Sequence, residues 1–236
     1  MKNLQIALFV LVFVIGLQQG NAQKSYKYDL PAFTQISLKN DANLILKQDT
    51  FQSVTVKAKD ETISKLVVEV SDRKLTIRFP GNVWFDSKWS PGDITIYVTT
   101  PQIDELSQSG SGSIVAEQLI TSRILDLYMG GSGFIRLNNL KADKISGTVS
   151  GSGHLQLAGT GIVAESRMIV SGSGGIKAPG LKTKSVNVLI SGSGNCSVFA
   201  IEKLSCKIAG SGGVTYYGNP AIEQTIVGSG TVKEGK

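Results

Sequence analysis

Carboxylates are the first side chains in this sequence that could do chemistry, because pairs of Asp and Glu cleave glycosidic bonds. The acids in the second half of the chain are sparse, and they lie at different distances from the nearest Gly-Ser-Gly tripeptide. Residues at different repeat positions need not converge on one site. The pattern argues against a polysaccharide-active enzyme, and the acids concerned are Glu117, Asp126, Asp143, Glu165, Glu202 and Glu223.

Histidine and cysteine offer no stronger catalytic site. The single histidine, His154, has no serine or cysteine at a spacing that supports nucleophilic catalysis, so we interpret it as a surface residue. Cys196 and Cys206 fall on inward-facing positions of one repeat. Two buried thiols are favoured over a disulfide, which export would permit but which requires Cα atoms within about 7 Å.

The Gly-Ser-Gly tripeptides also lack the Asp that calcium-binding nonapeptide repeats require. We therefore expect no catalytic residue, no metal and no cofactor.

An aromatic segment is the best candidate for ligand contact in the sequence. Both tryptophans of the chain, Trp84 and Trp89, flank Phe85 in a stretch that ends in a Pro-Gly turn. Aromatic rings on a surface loop can stack on sugar rings or anchor a protein partner. The alternative, that the segment folds over one end of the domain and buries its rings, remains open.

Seven Gly-Ser-Gly tripeptides recur at intervals of 21, 20, 21, 20, 18 and 18 residues. A fixed period of this size is typical of a solenoid. A phosphate-binding loop would need a helix after the glycines, but strand-like alternation follows them. We interpret the tripeptides as corners, in which glycine allows a sharp turn, and expect their serines to form a hydroxyl ladder. The corner glycines are Gly110, Gly112, Gly131, Gly133, Gly151, Gly153, Gly172, Gly174, Gly192, Gly194, Gly210, Gly212, Gly228 and Gly230.

Each corner lies between two segments with apolar residues at every second position. Ile135 and Leu137 follow the corner at Gly131 and flank the polar Arg136, whereas Met168 and Val170 precede the corner at Gly172. This period of two predicts strands with one buried face, and stacking of the repeats closes the core. The sequence thus predicts an all-β β-solenoid with about 18–21 residues per turn.

Three regions follow from these patterns. Residues 1–22 combine Lys2, an apolar run and small residues before a cleavage site, which is typical of a signal peptide. Residues 23–106 are an irregular β-rich portion or cap with six short strands, and residues 107–236 are the Gly-Ser-Gly solenoid. We expect an exported protein located in the periplasm, on the outer surface or in the medium, without a transmembrane segment after signal cleavage.

The net charge of +6 comes from scattered rather than clustered lysines, so nucleic acid is a poor partner. A surface glycan or an envelope protein is the expected partner class. Exposed strand edges leave homo-oligomerisation open.

These features resemble a bacterial family, the putative auto-transporter adhesin, head GIN domain family. The resemblance rests on the signal peptide, Phe33-Thr34-x-Ile36, Val54-Thr55-Val56, the serial Ser-Gly-Ser-Gly turns and Tyr216-Tyr217-Gly218-Asn219-Pro220. It implies a right-handed, single-stranded parallel β-helix and an adhesive role, and it brings no catalytic residues. Relatives often carry Asp directly after the Gly-Ser-Gly, whereas this chain has other residues there, His154 among them.

The sequence therefore favours a non-enzymatic, exported cell-envelope or surface module that binds a glycan or protein. A structural periplasmic scaffold is the first alternative, and a polysaccharide-active β-helix enzyme is the second.

Overall fold

The structure is a computed structural model that describes residues 23–81 and 90–236. The predicted signal peptide and the aromatic residues Trp84, Phe85 and Trp89 lie outside the described residues. The described part is almost entirely β, with one short helix. Its elements are β1 Lys24–Tyr28, β2 Gln35–Lys39, β3 Asn43–Gln48, β4 Ser53–Ala58, α1 Asp60–Lys65, β5 Val67–Ser71, β6 Lys74–Arg78, β7 Thr95–Thr100, β8 Glu105–Gln108, β9 Ser113–Ala116, β10 Ile120–Met129, β11 Phe134–Gly151, β12 His154–Gly159, β13 Val163–Gly172, β14 Gly175–Gly192, β15 Asn195–Gly210, β16 Gly213–Tyr217, β17 Ala221–Gly228 and β18 Thr231–Glu234.

Parallel strands stack into two main walls that meet at the Gly-Ser-Gly corners. The leading wall holds the segments that run into a corner, as in the pairing of Met168 with Val188 and of Val188 with Cys206. The trailing wall holds the segments that leave it, as in the pairing of Ile135 with Leu155. These registers are the predicted columns, so the all-β parallel solenoid and its period are confirmed.

The alternating apolar residues form one continuous core along the stack. Leu127, Val149 and Val188 of the leading wall are fully buried, and so are Leu137 and Leu155 of the trailing wall. Like side chains lie directly above one another because successive turns keep the same register. Burial of each large aliphatic side chain stabilises the fold by about 1.5–3 kcal/mol.

The corners are held together by backbone hydrogen bonds. The carbonyl oxygen of Gly172 accepts the N–H of Ser193 at 3.0 Å and the N–H of Gly194 at 2.9 Å, and the next corner repeats this pattern on Gly192. The expected hydroxyl ladder is wrong, because the corner serines in the described residues point to solvent and exchange no side-chain hydrogen bond with one another. Backbone groups saturate the corner, which leaves the serine hydroxyls to water.

The first turns of the solenoid are not stacked in chain order. Strand β2 pairs in parallel with both β6 and β8, and β3 pairs in parallel with both β7 and β9. The turn formed by residues 35–48 therefore lies between the turn formed by residues 74–100 and the turn formed by residues 105–116. Residue 106, the predicted end of the N-terminal portion, lies within β8, and the hydrogen-bonded sheet is continuous there.

The N-terminal end of the solenoid is closed by antiparallel strands and a helix. Strand β5 pairs antiparallel with β6 on the leading wall, and β4 pairs antiparallel with β7 on the trailing wall. Helix α1 follows β4, and its buried Thr62 donates a hydrogen bond to the Pro91 carbonyl oxygen at 2.6 Å. These elements pair with the edges of β6 and β7 and cover that end of the core, and β5 is itself paired on one side among the described residues.

A Tyr–Asp–Lys cluster fastens β1 to the start of α1. Tyr26 and Lys24 both donate to the Asp60 carboxylate. Lys24, followed by Tyr26, lowers the pKa of Asp60, while the hydrogen bond to Asp60, followed by burial, raises the pKa of Tyr26 to about 12.

We expect this cluster to make stability fall between pH 10 and pH 12. The unfolded phenol loses its proton near pH 10, whereas the folded one holds it to about pH 12, so the stabilisation is complete below the first value and is lost through the second. The difference in urea midpoint between the protein and Tyr26→Phe should therefore shrink across this range. Asp60→Asn should remove the same pH dependence, and parallel midpoints at every pH would contradict the assignment.

Both cysteines are free and buried, as expected. Cys196 lies in the trailing-wall column between Ile176 and Val214, and Cys206 lies in the leading-wall column between Val188 and Gln224. Burial raises the pKa of both thiols, that of Cys206 to about 11. Burial thus favours the protonated form of both thiols and keeps them away from solvent. His154 is exposed, as expected.

Candidate functional site

Two adjoining depressions form an extended concave surface in the described part of the chain. One has a volume of about 400 Å³ and the other about 580 Å³, and they share Ile124 and Asp126. We call the combined feature the corner groove. It lies where the chain enters the leading wall, and not at the Gly-Ser-Gly corners. It is lined by Gln48, Pro101, Gln102, Asp104, Thr121, Ser122, Arg123, Ile124, Asp126, Lys144, Ile145, Ser146, Glu165, Ser166, Arg167, Ser185 and Asn187.

The floor of the groove is a column of polar residues on the outer face of the leading wall. Asp126 pairs with Ser146, Ser146 with Arg167, and Arg167 with Asn187. Each residue stands five places before the first glycine of its corner, on the outward phase of its strand. Because neighbouring strands lie about 4.8 Å apart, these four side chains form a straight row about 14 Å long.

Gln48 stabilises the other end of the groove through three side-chain hydrogen bonds. Its side-chain amide donates to the carbonyl oxygens of Pro101 and Thr121, both at 3.0 Å, and accepts the N–H of Thr121 at 2.6 Å. Gln102 donates to the Asp104 carboxylate at 2.9 Å. These bonds join three turns of the stack and hold the irregular rim of the groove in one shape.

The groove carries three cations, Arg123, Lys144 and Arg167, and three anions. Lys144 pairs with Glu165 at 2.8 Å, but both side chains are exposed, so this bond contributes little and is easily exchanged. Asp104 accepts from Gln102. The mixed signs give the surface no strong net charge.

The central groups of the groove keep their hydrogen-bonding capacity. Among residues 23–81 and 90–236, the side chains of Asp126, Arg167 and Asn187 make no hydrogen bond or ion pair with the protein. Burial, and then the nearby carboxylate of Glu105, raises the pKa of Asp126. A carboxylate, a guanidinium and an amide therefore face an open depression with their polar atoms available to a ligand.

This arrangement has the shape and the polar groups to contact an extended polar ligand. The described residues contain no group of three or more His, Cys, Asp and Glu placed to hold a metal ion. The groove instead offers donors and acceptors at a regular spacing, and the half-exposed ring of Tyr128 stands two residues beyond Asp126 on the same face. Such a surface can bind and orient an extended polar ligand.

The structure brings together two of the six acids considered in the sequence, Asp126 and Glu165, in the groove. The inward positions, two and four places before each corner, carry the periodic apolar pattern and give no indication of this column. The signal was present five places before each corner, where Asp126, Arg167 and Asn187 recur in step with the repeat. The aromatic segment, with Trp84, Phe85 and Trp89, lies outside the described residues, so its role stays a prediction.

Solved structures with the same fold are described as putative adhesins or as a putative lipid binding protein. A putative adhesin from Bacteroides fragilis is 24% identical, with a TM-score of 0.83, over 93% of this chain and 100% of that one. A putative lipid binding protein from Parabacteroides distasonis is 24% identical, with a TM-score of 0.75, over 92% and 98%. A putative adhesin from Parabacteroides merdae is 21% identical, with a TM-score of 0.70, over 91% and 97%. At these identities the likeness establishes the fold.

A comparison with functionally curated proteins finds no match. Within the described residues, no helix has the length and apolar character needed to cross a bilayer. The family model described as "Putative auto-transporter adhesin, head GIN domain" matches residues 32–220, which include the N-terminal turns and nearly the whole repeat. Because that match covers well over half of the sequence and agrees with the parallel solenoid and its corners, the chain belongs to the auto-transporter adhesin, head GIN domain family.

Proposed function

We propose that this protein is a non-enzymatic, exported surface module that binds an extended glycan along the corner groove. The observation that carries the proposal is the row of unpaired polar side chains from Asp126 to Asn187, set at strand spacing on a rigid wall. Membership of an adhesin family supports a binding role. The regular spacing of the row is close to the length of one sugar unit in a chain.

The composition of the groove favours a glycan over a protein partner. Protein interfaces are typically centred on aromatic and apolar anchors that become fully buried. The row of polar groups runs along the groove, and the exposed side chain of Ile124 lies where the two depressions meet. Sugar hydroxyls can satisfy Asp126, Arg167 and Asn187 together, and the Tyr128 ring can lie against a sugar face.

Binding should be lost when the centre of the groove is truncated. We expect Arg167→Ala to weaken glycan binding about tenfold or more, because it removes five donors from the middle of the row. Asn187→Ala should weaken it less. Glycan-array binding and pull-down of the purified protein with bacterial envelope fractions measure both effects.

Lys177→Ala is the matched control, since it removes an exposed positive charge from the trailing wall and lies away from the groove. All three substitutions are at exposed sites and should leave the urea midpoint almost unchanged. Equal loss in Arg167→Ala and Lys177→Ala would indicate unspecific attraction and would contradict the groove.

The aromatic segment supplies a competing location for the ligand. A variant with both Trp84→Ala and Trp89→Ala should retain binding if the groove is the site. Loss of binding in that variant, with binding intact in Arg167→Ala, would place the ligand on the aromatic segment instead.

The panel should also include lipid vesicles, because one protein of the same fold is described as lipid binding. Binding to vesicles, or to a single envelope protein, without binding to any glycan would reject the glycan proposal. Absence of all binding would favour the periplasmic scaffold, which predicts loss of envelope integrity when the protein is removed. Release of reducing ends or unsaturated sugars would show that the protein is an enzyme.

A further inference from the structure

The C-terminal end of the solenoid consists of two parallel strands, without antiparallel strands like those that cover the N-terminal end. Strand β17 pairs with β15 on one side, and β18 pairs with β16 on one side. No other strand in the described part of the chain pairs with their second edges. All eight residues of β17 are exposed. This end therefore presents a row of unpaired backbone N–H and C=O groups.

The open end also exposes side chains that belong to the core columns. Ile222 and Ile226 are 42% and 36% exposed, whereas the residues beneath them in the same columns, Leu204 and Ile208, are 0% and 2% exposed. Val227, on the outward phase, is 69% exposed. A partner strand placed over β17 would bury the two isoleucines as the earlier turns bury their own.

The other end of the same wall shows which kind of strand completes it. There β5 pairs with β6 in antiparallel orientation and is the last strand of the leading wall. An antiparallel strand on β17 would cover the C-terminal end in the same way.

The order of apolar and polar residues in β17 is the same in both directions about Gln224. Residues 221–227 are Ala-Ile-Glu-Gln-Thr-Ile-Val, so an antiparallel pair centred on Gln224 places Ile222 opposite Ile226. The same register places Ala221 opposite Val227 and Glu223 opposite Thr225. No like charges oppose each other, and directly opposite residues point to the same side of the sheet.

We propose that a second copy of this chain docks end to end on β17, with a twofold axis through Gln224. The two leading walls would join into one sheet across an antiparallel β17–β17 pair, and the four isoleucines would close the core. Such an interface is isologous, as in most soluble homodimers. The outer faces of the two walls would lie on one side of the dimer, so two corner grooves would face the same surface and could bind bivalently.

The first test is the mass of the purified protein in solution as its concentration is raised. We expect a species of twice the 25.0 kDa chain mass, less any residues removed on export, in analytical ultracentrifugation. Ile226→Lys should weaken the dimer by about tenfold or more, because each copy places a charge against Ile222 of the other. Ile162→Lys is the matched control, since Ile162 is 57% exposed and lies far from β17 in the stack.

Charged substitutions of Gln224 test the proposed register of the β17–β17 pair, because the twofold axis brings the two copies of this residue together. Gln224→Lys alone and Gln224→Glu alone should each be monomeric, because the axis brings two like charges together. An equimolar mixture of the two variants should recover a heterodimer. A monomeric parent protein, a dimer insensitive to Ile226→Lys, or a mixture that does not recover pairing would each overturn the proposal.

Discussion

Gly133→Ala should lower the free energy of unfolding by on the order of 3 kcal/mol or more, although it adds only one methyl group. A Cβ at this position would lie 1.9 Å from the Gly112 carbonyl oxygen of the turn below. The backbone must then move. The N–H of Gly133 donates to Gly110 at 3.1 Å, so the movement also weakens a corner hydrogen bond.

Gly161→Ala is the control that measures the cost of replacing a glycine with a positive φ where no other atom is close. Gly161 has a φ of +88°, but no atom lies within 4 Å of the position of an added Cβ. Its replacement should cost about 1–2 kcal/mol from backbone conformation alone. Urea denaturation gives the loss of unfolding free energy in both variants, provided that their m-values are unchanged. A loss in Gly133→Ala no larger than that in Gly161→Ala would mean that neighbouring corners do not approach so closely.

Ile36→Ala should lower the free energy of unfolding by about 2–5 kcal/mol. Its energetic coupling to residues on adjacent strands should show how the turns are stacked. Ile36 is fully buried between Leu75 of β6 and Leu106 of β8. In a solenoid stacked in chain order, Leu75 and Leu106 would instead lie on adjacent turns. The ion pair of Lys74 with Glu105, 2.8 Å long, is consistent with the inserted strand because both residues flank Gln35.

Double-mutant cycles with alanine distinguish the two stacking orders. We expect a coupling of about 1 kcal/mol for Ile36 with Leu106, which lie on adjacent strands. Leu75 and Leu106 are separated by β2, about 9.5 Å from backbone to backbone, so their effects should add within about 0.5 kcal/mol. Strong coupling between Leu75 and Leu106, with none between Ile36 and Leu106, would contradict the inserted turn.

Much of the fold could be predicted because its causes are local. The alternation around each corner, as at Ile135 and Leu137, predicts a strand and its buried face without reference to any other turn. The fixed period then aligns the columns, and all six predicted N-terminal strands are present. Helix α1, with only six residues, carries no sustained periodicity that could have predicted it.

The candidate site was harder to predict because polar outward residues resemble an ordinary solvated surface. Asp126, Arg167 and Asn187 become a site only when their column is placed beside the rim braced by Gln48, and the contacts of Gln48 with Thr121 span 73 residues. No local pattern contains that contact. The aromatic residues, in contrast, are candidates for binding by their type alone.

Local patterns are sufficient to predict the β-solenoid, its period, its corners and the buried columns, since each depends on alternation and glycine within one turn. Long-range packing instead places residues 35–48 between later turns, covers the N-terminal end with antiparallel strands and leaves β17 uncovered among the described residues. The reason is that the turns present similar apolar columns and similar strand edges, so local sequence allows many stacking orders. The order is selected by hydrogen bonds and side-chain packing between residues that are far apart in the sequence, which no local pattern contains.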